Sequence, residues 1–475
     1  MVSAFFIYDI TFLVVFTLTV VLFLYTHKKN LQRQGLLYLY RTKIGINFIE
    51  KFTKKYEKFL YPLEYIVVAS GFVLMFSMLW LLIKFSWAYI TSPVIAEAIK
   101  IPVVIPLIPY LPEIFKIDFL PSFNFTYWII VIAIIAIPHE FAHGIFARLN
   151  KIKVHATGFG FLGPFLAAFV EPDEKQMSKL KKFPQMAILA SGTFANVIFT
   201  IIFGLILWLF FISAFIPAGV HFNAYATSTI DLSSINSVNG IQIDSINEIS
   251  SLLTTDTAQL QVSNNTYFIP SSSLKLAIEK NIPRINVFDD SPAYNTNLKG
   301  AITEINGEKI TSYGELRAAI LSHQPADVLQ IKTAYQESVR DNKIEIKEYE
   351  ITLAEKDGNA FLGIGRLDAS QSGLLGSIYS FISNIKDPFT YYESSLGAFG
   401  WFIYYLLWWT VLICLSVALV NMLPVGIFDG GRFFYLAVWG LTGSESIGKK
   451  AFKFSTWFIL ALILALMIKW ALIFV

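Results

Sequence analysis

Charged residues and cysteine are the scarce components of this sequence. Only 15% of its 475 residues are charged, against 55% that are hydrophobic, and this balance excludes an ordinary soluble domain and fits a multi-pass membrane protein. The single cysteine, Cys414, excludes both a disulfide framework and a cysteine metal site. The net charge of +3 does not indicate a nucleic-acid partner, and any metal site must be built from carboxylates and the six histidines.

Six apolar runs are long enough to cross a bilayer as helices. They cover about residues 4–25, 63–83, 127–146, 186–215, 398–420 and 456–475. Basic residues cluster in the loop 28–58, in 148–182 and after Asp429, so the positive-inside rule places these segments in the cytoplasm. We therefore predict an integral membrane protein in the lipid bilayer with both termini on the extracytoplasmic side.

The chain becomes polar between the fourth and fifth spans, which predicts a soluble extracytoplasmic domain. Within it, Ser234–Ile249 and Ala301–Leu316 repeat one pattern of strand, Asn-Gly turn, short strand and helix start. The element order of the second copy resembles a PDZ domain, which binds extended peptides at a sheet edge. The resemblance departs at Lys299–Ala301, where a Gly-Asp pair is expected.

A second β element is predicted inside the membrane region. Val154–Val170 is apolar, broken by glycines and rich in strand-forming residues around a Gly-Pro turn, as in a re-entrant β-hairpin. Its edge strand is a candidate site for pairing with a peptide, and the alternative is a loop that only packs on the helices.

The predicted fold is thus a membrane all-α core of about six transmembrane helices with a re-entrant β-hairpin, plus an inserted extracytoplasmic α/β PDZ-like domain. Proline-rich residues 91–124 are expected to form an interfacial or partly embedded loop. We predict an N-terminal transmembrane hairpin over 1–90, a first catalytic membrane part over 91–216, a PDZ-like tandem region over 217–370, and a second catalytic membrane part over 371–475.

The third span carries the motif His139-Glu140-Phe141-Ala142-His143. Two histidines four residues apart lie on one helix face, so both imidazoles can reach one metal ion. Glu140 lies beside them and is suited to take a proton from water. Ionisable groups are costly inside a bilayer, which favours a functional role, and the alternative is a helix end at the interface.

Charge topology brings a third candidate ligand to the same depth. The third and fifth spans both run inward, and Asp429 follows the cytoplasmic end of the fifth. His139, His143 and Asp429 would provide the three protein ligands of an open catalytic zinc site, with Glu140 as general base. The alternative for Asp429 is a turn residue of the Asp-Gly-Gly sequence. The site is expected inside the membrane, near its cytoplasmic side.

These motifs resemble the site-2 protease family of intramembrane zinc metalloproteases. The resemblance is carried by the His-Glu-Phe-Ala-His-Gly sequence, by the Asn-x-x-Pro-x-x-x-x-Asp-Gly sequence over 421–430, by Gly192-x-x-x-Asn196, and by the PDZ-like insert. Thr193 replaces a proline common in the family and Phe428 replaces a leucine, but neither change removes a reacting group.

The resemblance implies a function and several residue roles. Zn²⁺ would be bound by His139, His143 and Asp429 with Glu140 as the catalytic base, and Asn196 and Asn421 would hold the substrate chain or the oxyanion. The activity would be hydrolysis of peptide bonds within or next to transmembrane segments, in regulated intramembrane proteolysis or in clearance of signal-peptide remnants. The expected partners are transmembrane or signal-peptide-like proteins and a peptide ligand of the PDZ-like region.

Three other readings remain open on the sequence. A membrane metalloprotease acting on prenylated C-termini would need a downstream helical glutamate as third ligand. A scaffold or receptor would use the outer domain to bind peptides without catalysis. A transporter is a weaker reading because no inverted repeat of spans is apparent.

Overall fold

The computed structural model describes residues 4–34, 37–91, 107–115, 117, 120–162, 165–336, 344–366 and 386–472. These residues form two compact units. The first unit comprises Met1–Phe211 and Trp401–Val475, and the second comprises Ile212–Gly400. Residues 92–106 of the predicted proline-rich loop and the Gly163-Pro164 turn lie outside the described residues.

Long apolar helices dominate the first unit. Six helices of the described chain are long and apolar enough to cross a membrane: α1 (Ala4–Thr26), α2 (Ile46–Thr91), α4 (Phe125–Leu149), α6 (Lys182–Ala214), α11 (Gly397–Asn421) and α13 (Glu445–Leu472). Shorter helices are α3 (Leu111–Ile114), α5 (Glu174–Met177) and α12 (Asp429–Thr442). A helical membrane core with six spans is therefore confirmed at the level of helix number and composition.

Two helices are longer than the sequence predicts. The expected loop 28–58 is wrong for residues 46–58, because α2 begins at Ile46. The stretch 46–61 holds neither glycine nor proline and is rich in lysine and glutamate, which are good helix formers. The last helix likewise begins at Glu445 and not near Thr456.

The first unit also contains a four-stranded antiparallel sheet in the order β1-β2-β3-β4. Its strands are β1 (Leu31–Gln34), β2 (Leu37–Thr42), β3 (Val154–Leu162) and β4 (Phe165–Pro172). The predicted hairpin at 154–170 is present as β3 and β4. The basic segment contributes β1 and β2, which cover the outer edge of β3, so β4 is left as the edge strand on the hairpin side.

Buried polar side chains join the helices of this unit. Asp9 of α1 is 2% exposed and accepts hydrogen bonds from the backbone nitrogens of Phe125 at 2.9 Å and Thr126 at 2.8 Å, which are the first two residues of α4. Lys469 of α13 donates to the carbonyls of Tyr89 at 2.7 Å and Ile90 at 2.9 Å. Lys469 thus caps the end of α2.

The second unit is rich in short strands arranged in two sheets with separate cores. One sheet has the order β7-β12-β11-β10-β8-β9 and the other β16-β15-β13-β5-β20, with β14 paired to β13. Strands of the first sheet are β7 (Thr227–Asp231), β8 (Ser237–Val238), β9 (Ile241–Gln242), β10 (Thr257–Val262), β11 (Asn265–Pro270) and β12 (Arg284–Asp289). Strands of the second are β5 (Phe215–Val220), β13 (Ala301–Ile305), β14 (Glu308–Lys309), β15 (Val328–Tyr335), β16 (Glu345–Thr352) and β20 (Thr390–Ser394).

Two small strand pairs, four α-helices and the 3₁₀ helix Leu232–Ser234 complete the described part of the second unit. The strand pairs are β17 (Ala354–Lys356) with β18 (Asn359–Phe361), and β6 (Ala224–Tyr225) with β19 (Ile364–Gly365). The helices are α7 (Ile246–Leu252), α8 (Ser271–Glu279), α9 (Pro292–Asn295) and α10 (Tyr313–Leu321).

The internal repeat of the sequence has a matching structure. Asn239 and Asn306 each adopt a positive φ, of 51° and 50°, and each is followed by a glycine of positive φ, as a type I′ hairpin turn requires. In both copies the asparagine Oδ1 accepts from the backbone of the next long strand, from Gln259 at 2.9 Å and from Gln330 at 2.8 Å. A serine then caps the following helix in each copy. The two segments are therefore structural repeats, while their assignment to the PDZ class stays a prediction.

Candidate metal centre

The two histidines of the motif face each other on α4. Their positions four residues apart place both rings on one side of the helix, and the Nε2 atoms of His139 and His143 lie 3.1 Å apart. His139 is 6% exposed and His143 is half-buried. Two imidazole nitrogens therefore point into one small volume.

Asp429 completes this group from a distant part of the chain. Its Oδ2 lies 3.5 Å from His139 Nε2 and 3.3 Å from His143 Nε2. Asp429 is the first residue of α12, where the helix dipole favours a negative charge. The next residue, Gly430, packs so closely on the preceding loop that a Cβ would lie 2.3 Å from the carbonyl carbon of Met422. The glycine thus permits the tight turn that aims Asp429 at the histidines.

The three donor atoms fit a tetrahedral zinc ion. Ligands about 2.05 Å from zinc at tetrahedral angles are separated from each other by roughly 3.3 Å. The three separations in this structure are 3.1, 3.3 and 3.5 Å. Two imidazoles and one carboxylate are also a donor set typical of catalytic zinc, which keeps a fourth position for water.

Helix α6 packs against both imidazoles and contacts the Nδ1 atom of each. The Nδ1 of His143 lies 2.7 Å from the carbonyl oxygen of Ile188, and the Nδ1 of His139 lies 3.0 Å from the side-chain Nδ2 of Asn196. Between them, Gly192 leaves the space that the rings occupy, since a Cβ there would lie 2.4 Å from His143 Nε2. Both rings are therefore oriented by one helix.

Glu140 is half-buried and contacts the edge strand of the hairpin. Its Oε2 accepts a hydrogen bond of 2.9 Å from the backbone nitrogen of Val170 on β4. Val170 is paired with Thr157 of β3, yet its N–H is directed to Glu140 and away from the β3–β4 ladder. The carboxylate next to the histidines is therefore also adjacent to the free edge of the sheet.

The structure brings most of the predicted site residues together. His139, His143 and Asp429 form one group, and among the described residues it is the one group of histidine, cysteine and acidic side chains with metal-ligand spacing. Asn196 contacts the imidazole of His139, and its predicted role with the substrate chain stays a prediction. Asn421 is the half-buried last residue of α11, next to the backbone that packs on Gly430.

Two groups that contact the site residues could not be predicted from the sequence. The carbonyl of Ile188 and the N–H of Val170 are backbone groups and leave no signature in residue identity.

Fold and site together define a class: a multi-pass membrane protein with a buried His-His-Asp centre of zinc type. The sequence profile described as Peptidase family M50 matches residues 127–466, and this chain belongs to that family. The recognition made from the motifs is thereby confirmed, and family and triad both support zinc as the metal.

Two relatives show similarity over shorter stretches. The "Uncharacterized protein MJ0971" of Methanocaldococcus jannaschii is 33% identical over 168 residues, which are 34% of this chain and 41% of that protein. A protein of Xylella fastidiosa named "Putative zinc metalloprotease" is 33% identical over 110 residues, which are 22% of this chain and 24% of that protein. The alignments thus span less than half of each relative.

Proposed function

We propose that this protein is an intramembrane zinc metalloendopeptidase that hydrolyses peptide bonds within or next to transmembrane segments. The observation that carries the proposal is the triangle of His139, His143 and Asp429 donors, whose edges match a zinc site and whose two histidines lie on a helix long enough to span a bilayer. When bound, zinc supplies Lewis-acid chemistry, which polarises a peptide carbonyl and lowers the pKa of water to about 7.

Glu140 is the proposed general base. One carboxylate oxygen, Oε2, accepts a hydrogen bond from the Val170 N–H. We propose that the other oxygen takes the proton from the attacking water. The water oxygen bonds to the scissile carbonyl carbon, the C–N bond breaks, and Glu140 returns the proton to the leaving amine nitrogen. The hydrogen bond to Val170 keeps the carboxylate oriented during both transfers.

The free edge of β4 is the proposed position of the substrate. A transmembrane helix hides its carbonyls in its own hydrogen bonds, so the segment to be cut must become extended. An extended segment added to β4 would satisfy its backbone groups along the strand and lie beside Glu140. The proposed substrates are accordingly transmembrane or signal-peptide-like segments, with Asn421 as a candidate donor to the released carbonyls.

The second unit is the proposed peptide-binding part, with PDZ-like character, on the extracytoplasmic side together with both termini. Support comes from a cleft of about 110 Å³ between α10 and the strand segment 360–364. Leu316 and Ile320 of α10 line it on one side, and Phe361 and Leu362 on the other. Such a cleft suits an extended peptide with apolar side chains. Roles in regulated proteolysis or signal-peptide clearance follow from the same proposal.

The test is zinc-dependent cleavage by purified protein in lipid nanodiscs. A peptide with one transmembrane helix is the substrate, and product masses locate the cut bond. We expect cleavage inside or next to the apolar segment, its loss on treatment with a chelator, and its recovery on addition of one equivalent of zinc. Cleavage that survives removal of all metal, or that is confined to soluble loops far from the membrane, would contradict the proposal.

A further inference from the structure

We propose that one face of α6 presets both imidazoles for metal binding, with the proton on Nδ1 and the lone pair on Nε2, and that Asn196 is the positioning residue for His139. The inference rests on the proposed zinc site. It assigns to Asn196 a role through His139, in place of the direct contact with substrate that its motif implies.

The spacing of the contacts is the first argument. Ile188, Gly192 and Asn196 follow one another at intervals of four, so they lie on one face of α6. His139 and His143 have the same interval on α4. His143 contacts Ile188 and His139 contacts Asn196, so the two helices are antiparallel here and their four-residue rows are in register. Gly192 separates the two contacts and leaves room for both rings.

The ring of His143 is fixed by chemistry alone. A carbonyl oxygen only accepts hydrogen bonds, so at 2.7 Å from the Ile188 oxygen the Nδ1 of His143 must be the donor. In the neutral ring Nε2 then carries the lone pair, and this is the atom that faces Asp429 at 3.3 Å. Histidine ligands in metal proteins are commonly held in this way by a carbonyl or carboxylate.

The Nδ1 of His139 faces the amide of Asn196, which can act as a hydrogen-bond donor or acceptor. Asn196 is fully buried; its Nδ2 faces the ring, and its Oδ1 has no partner among the described residues. Metal on Nε2 requires a proton on Nδ1, which needs an acceptor. A half-turn of the amide brings Oδ1 to the ring. In that orientation Oδ1 accepts the Nδ1 proton, which leaves the Nε2 lone pair of His139 for the metal.

The test is zinc affinity of the full-length protein in detergent, measured by competition with a chromophoric chelator. Asn196→Leu keeps the approximate volume and removes the acceptor, and we expect about 10- to 100-fold weaker zinc binding. Asn196→Asp keeps an acceptor, and its affinity should stay within about threefold of wild type. Asn196→Ala serves as a second variant without an acceptor. Thr193→Val is the matched control, because Thr193 is equally buried in α6 but bonds only to the Ala190 carbonyl of its own helix.

Two further readouts separate positioning from a structural effect. Thermal unfolding of the zinc-free protein should be no lower in Asn196→Leu than in Thr193→Val. The visible spectrum of the cobalt-substituted protein should change in Asn196→Leu and be retained in Asn196→Asp. Unchanged zinc affinity in Asn196→Leu and Asn196→Ala, or an equal loss in Thr193→Val, would overturn the inference while leaving the protease proposal intact. Failure of the wild-type protein to bind zinc would overturn both.

Discussion

Gly192 shows how closely the metal site depends on single atoms. A Cβ at this position would lie 2.4 Å from His143 Nε2 and 2.6 Å from His139 Nε2, which are the two nitrogens that face the metal position. Neither ring can yield easily, since each is also held at Nδ1 by α6. One methyl group is therefore enough to displace a ligand.

We expect Gly192→Ala to weaken zinc binding at least about tenfold. Displacing a histidine ligand should reduce the zinc affinity as much as removing the hydrogen-bond partner that orients it. Gly204→Ala is the matched control: it lies on the same helix, its Cβ would meet nothing within 4 Å, and it gains the same helix propensity. The measurement is the zinc content of both purified variants as a function of zinc concentration. Half-saturation of Gly192→Ala at the zinc concentration that half-saturates wild type would contradict this expectation.

At the residue scale the sequence predicted the local part of the site. The four-residue interval of His139 and His143 places both rings on one face, whatever the rest of the fold. Asp429 was inferred from the charge topology, which indicates its depth in the membrane but not its distance from the two histidines. The contact of Asn196 with His139 was beyond prediction, because it depends on the register in which α4 and α6 pack.

At the element scale, β4 joins the proposed substrate position to Glu140. Side chains and backbone groups alternate along a strand, so if the Val170 N–H points away from β3, the Ala168 N–H does so as well. Ala168 is paired with Phe159 and Val170 with Thr157, two residues apart on each strand. We therefore expect an added substrate strand to use the Ala168 N–H, while the Val170 N–H holds Glu140.

Ala168→Pro removes one outward N–H without breaking the β3–β4 ladder. One lost hydrogen bond of about 1 kcal/mol predicts a roughly fivefold rise in KM for a transmembrane peptide, with thermal stability unchanged. Ala167→Pro is the contrast, since its N–H faces β3 and its loss should lower stability. The idea of strand addition is wrong if Ala168→Pro leaves KM unaltered.

Asp9 anchors α1 to the start of the helix that carries the histidines. Its two oxygens receive the N–H groups of Phe125 and Thr126, the Thr126 hydroxyl at 2.5 Å and the Tyr110 hydroxyl. Each oxygen thus accepts two bonds, and the carboxylate caps α4 from another helix.

Asp9→Asn replaces one carboxylate oxygen, which accepts two hydrogen bonds, with an NH₂ group, which accepts none. We expect it to lower the free energy of unfolding in detergent by about 2 kcal/mol. Thr11→Val, which loses only a bond to the Ile7 carbonyl within α1, should stay near wild type. Equal melting temperatures for Asp9→Asn and Thr11→Val would refute a capping role.

Prediction at the element scale was good for apolar helices and poorer for mixed segments. The hairpin β3–β4 was recognised from its strand-forming residues and Gly-Pro turn. Strands β1 and β2 were not, although Leu37–Tyr40 consists of strand-compatible apolar and aromatic residues. Surrounding lysines and arginines marked that region as a loop, and its pairing with β3 is a long-range contact that local sequence does not encode.

At the scale of the whole molecule, composition predicts a polar insert, and the contacts in the structure divide the chain into two units. Polar composition predicts an insert over 217–370, which lies inside the unit Ile212–Gly400. The unit is longer because β5 directly follows α6, β20 precedes α11 by two residues, and these two strands pair with each other. Strand β5 is as apolar as the end of the helix it continues, and its pairing with β20 is a long-range contact that composition does not show.

The central claim is that one zinc site and one carboxylate perform peptide hydrolysis in this membrane protein. The most direct measurement is the zinc content and the cleavage rate of Glu140→Gln beside wild type, both purified in nanodiscs with the same transmembrane peptide. The account predicts one zinc per chain in both proteins and a cleavage rate about 10²- to 10⁴-fold lower in the variant, because glutamine keeps the hydrogen bond to Val170 but takes up no proton. Full turnover by Glu140→Gln with zinc bound would contradict it.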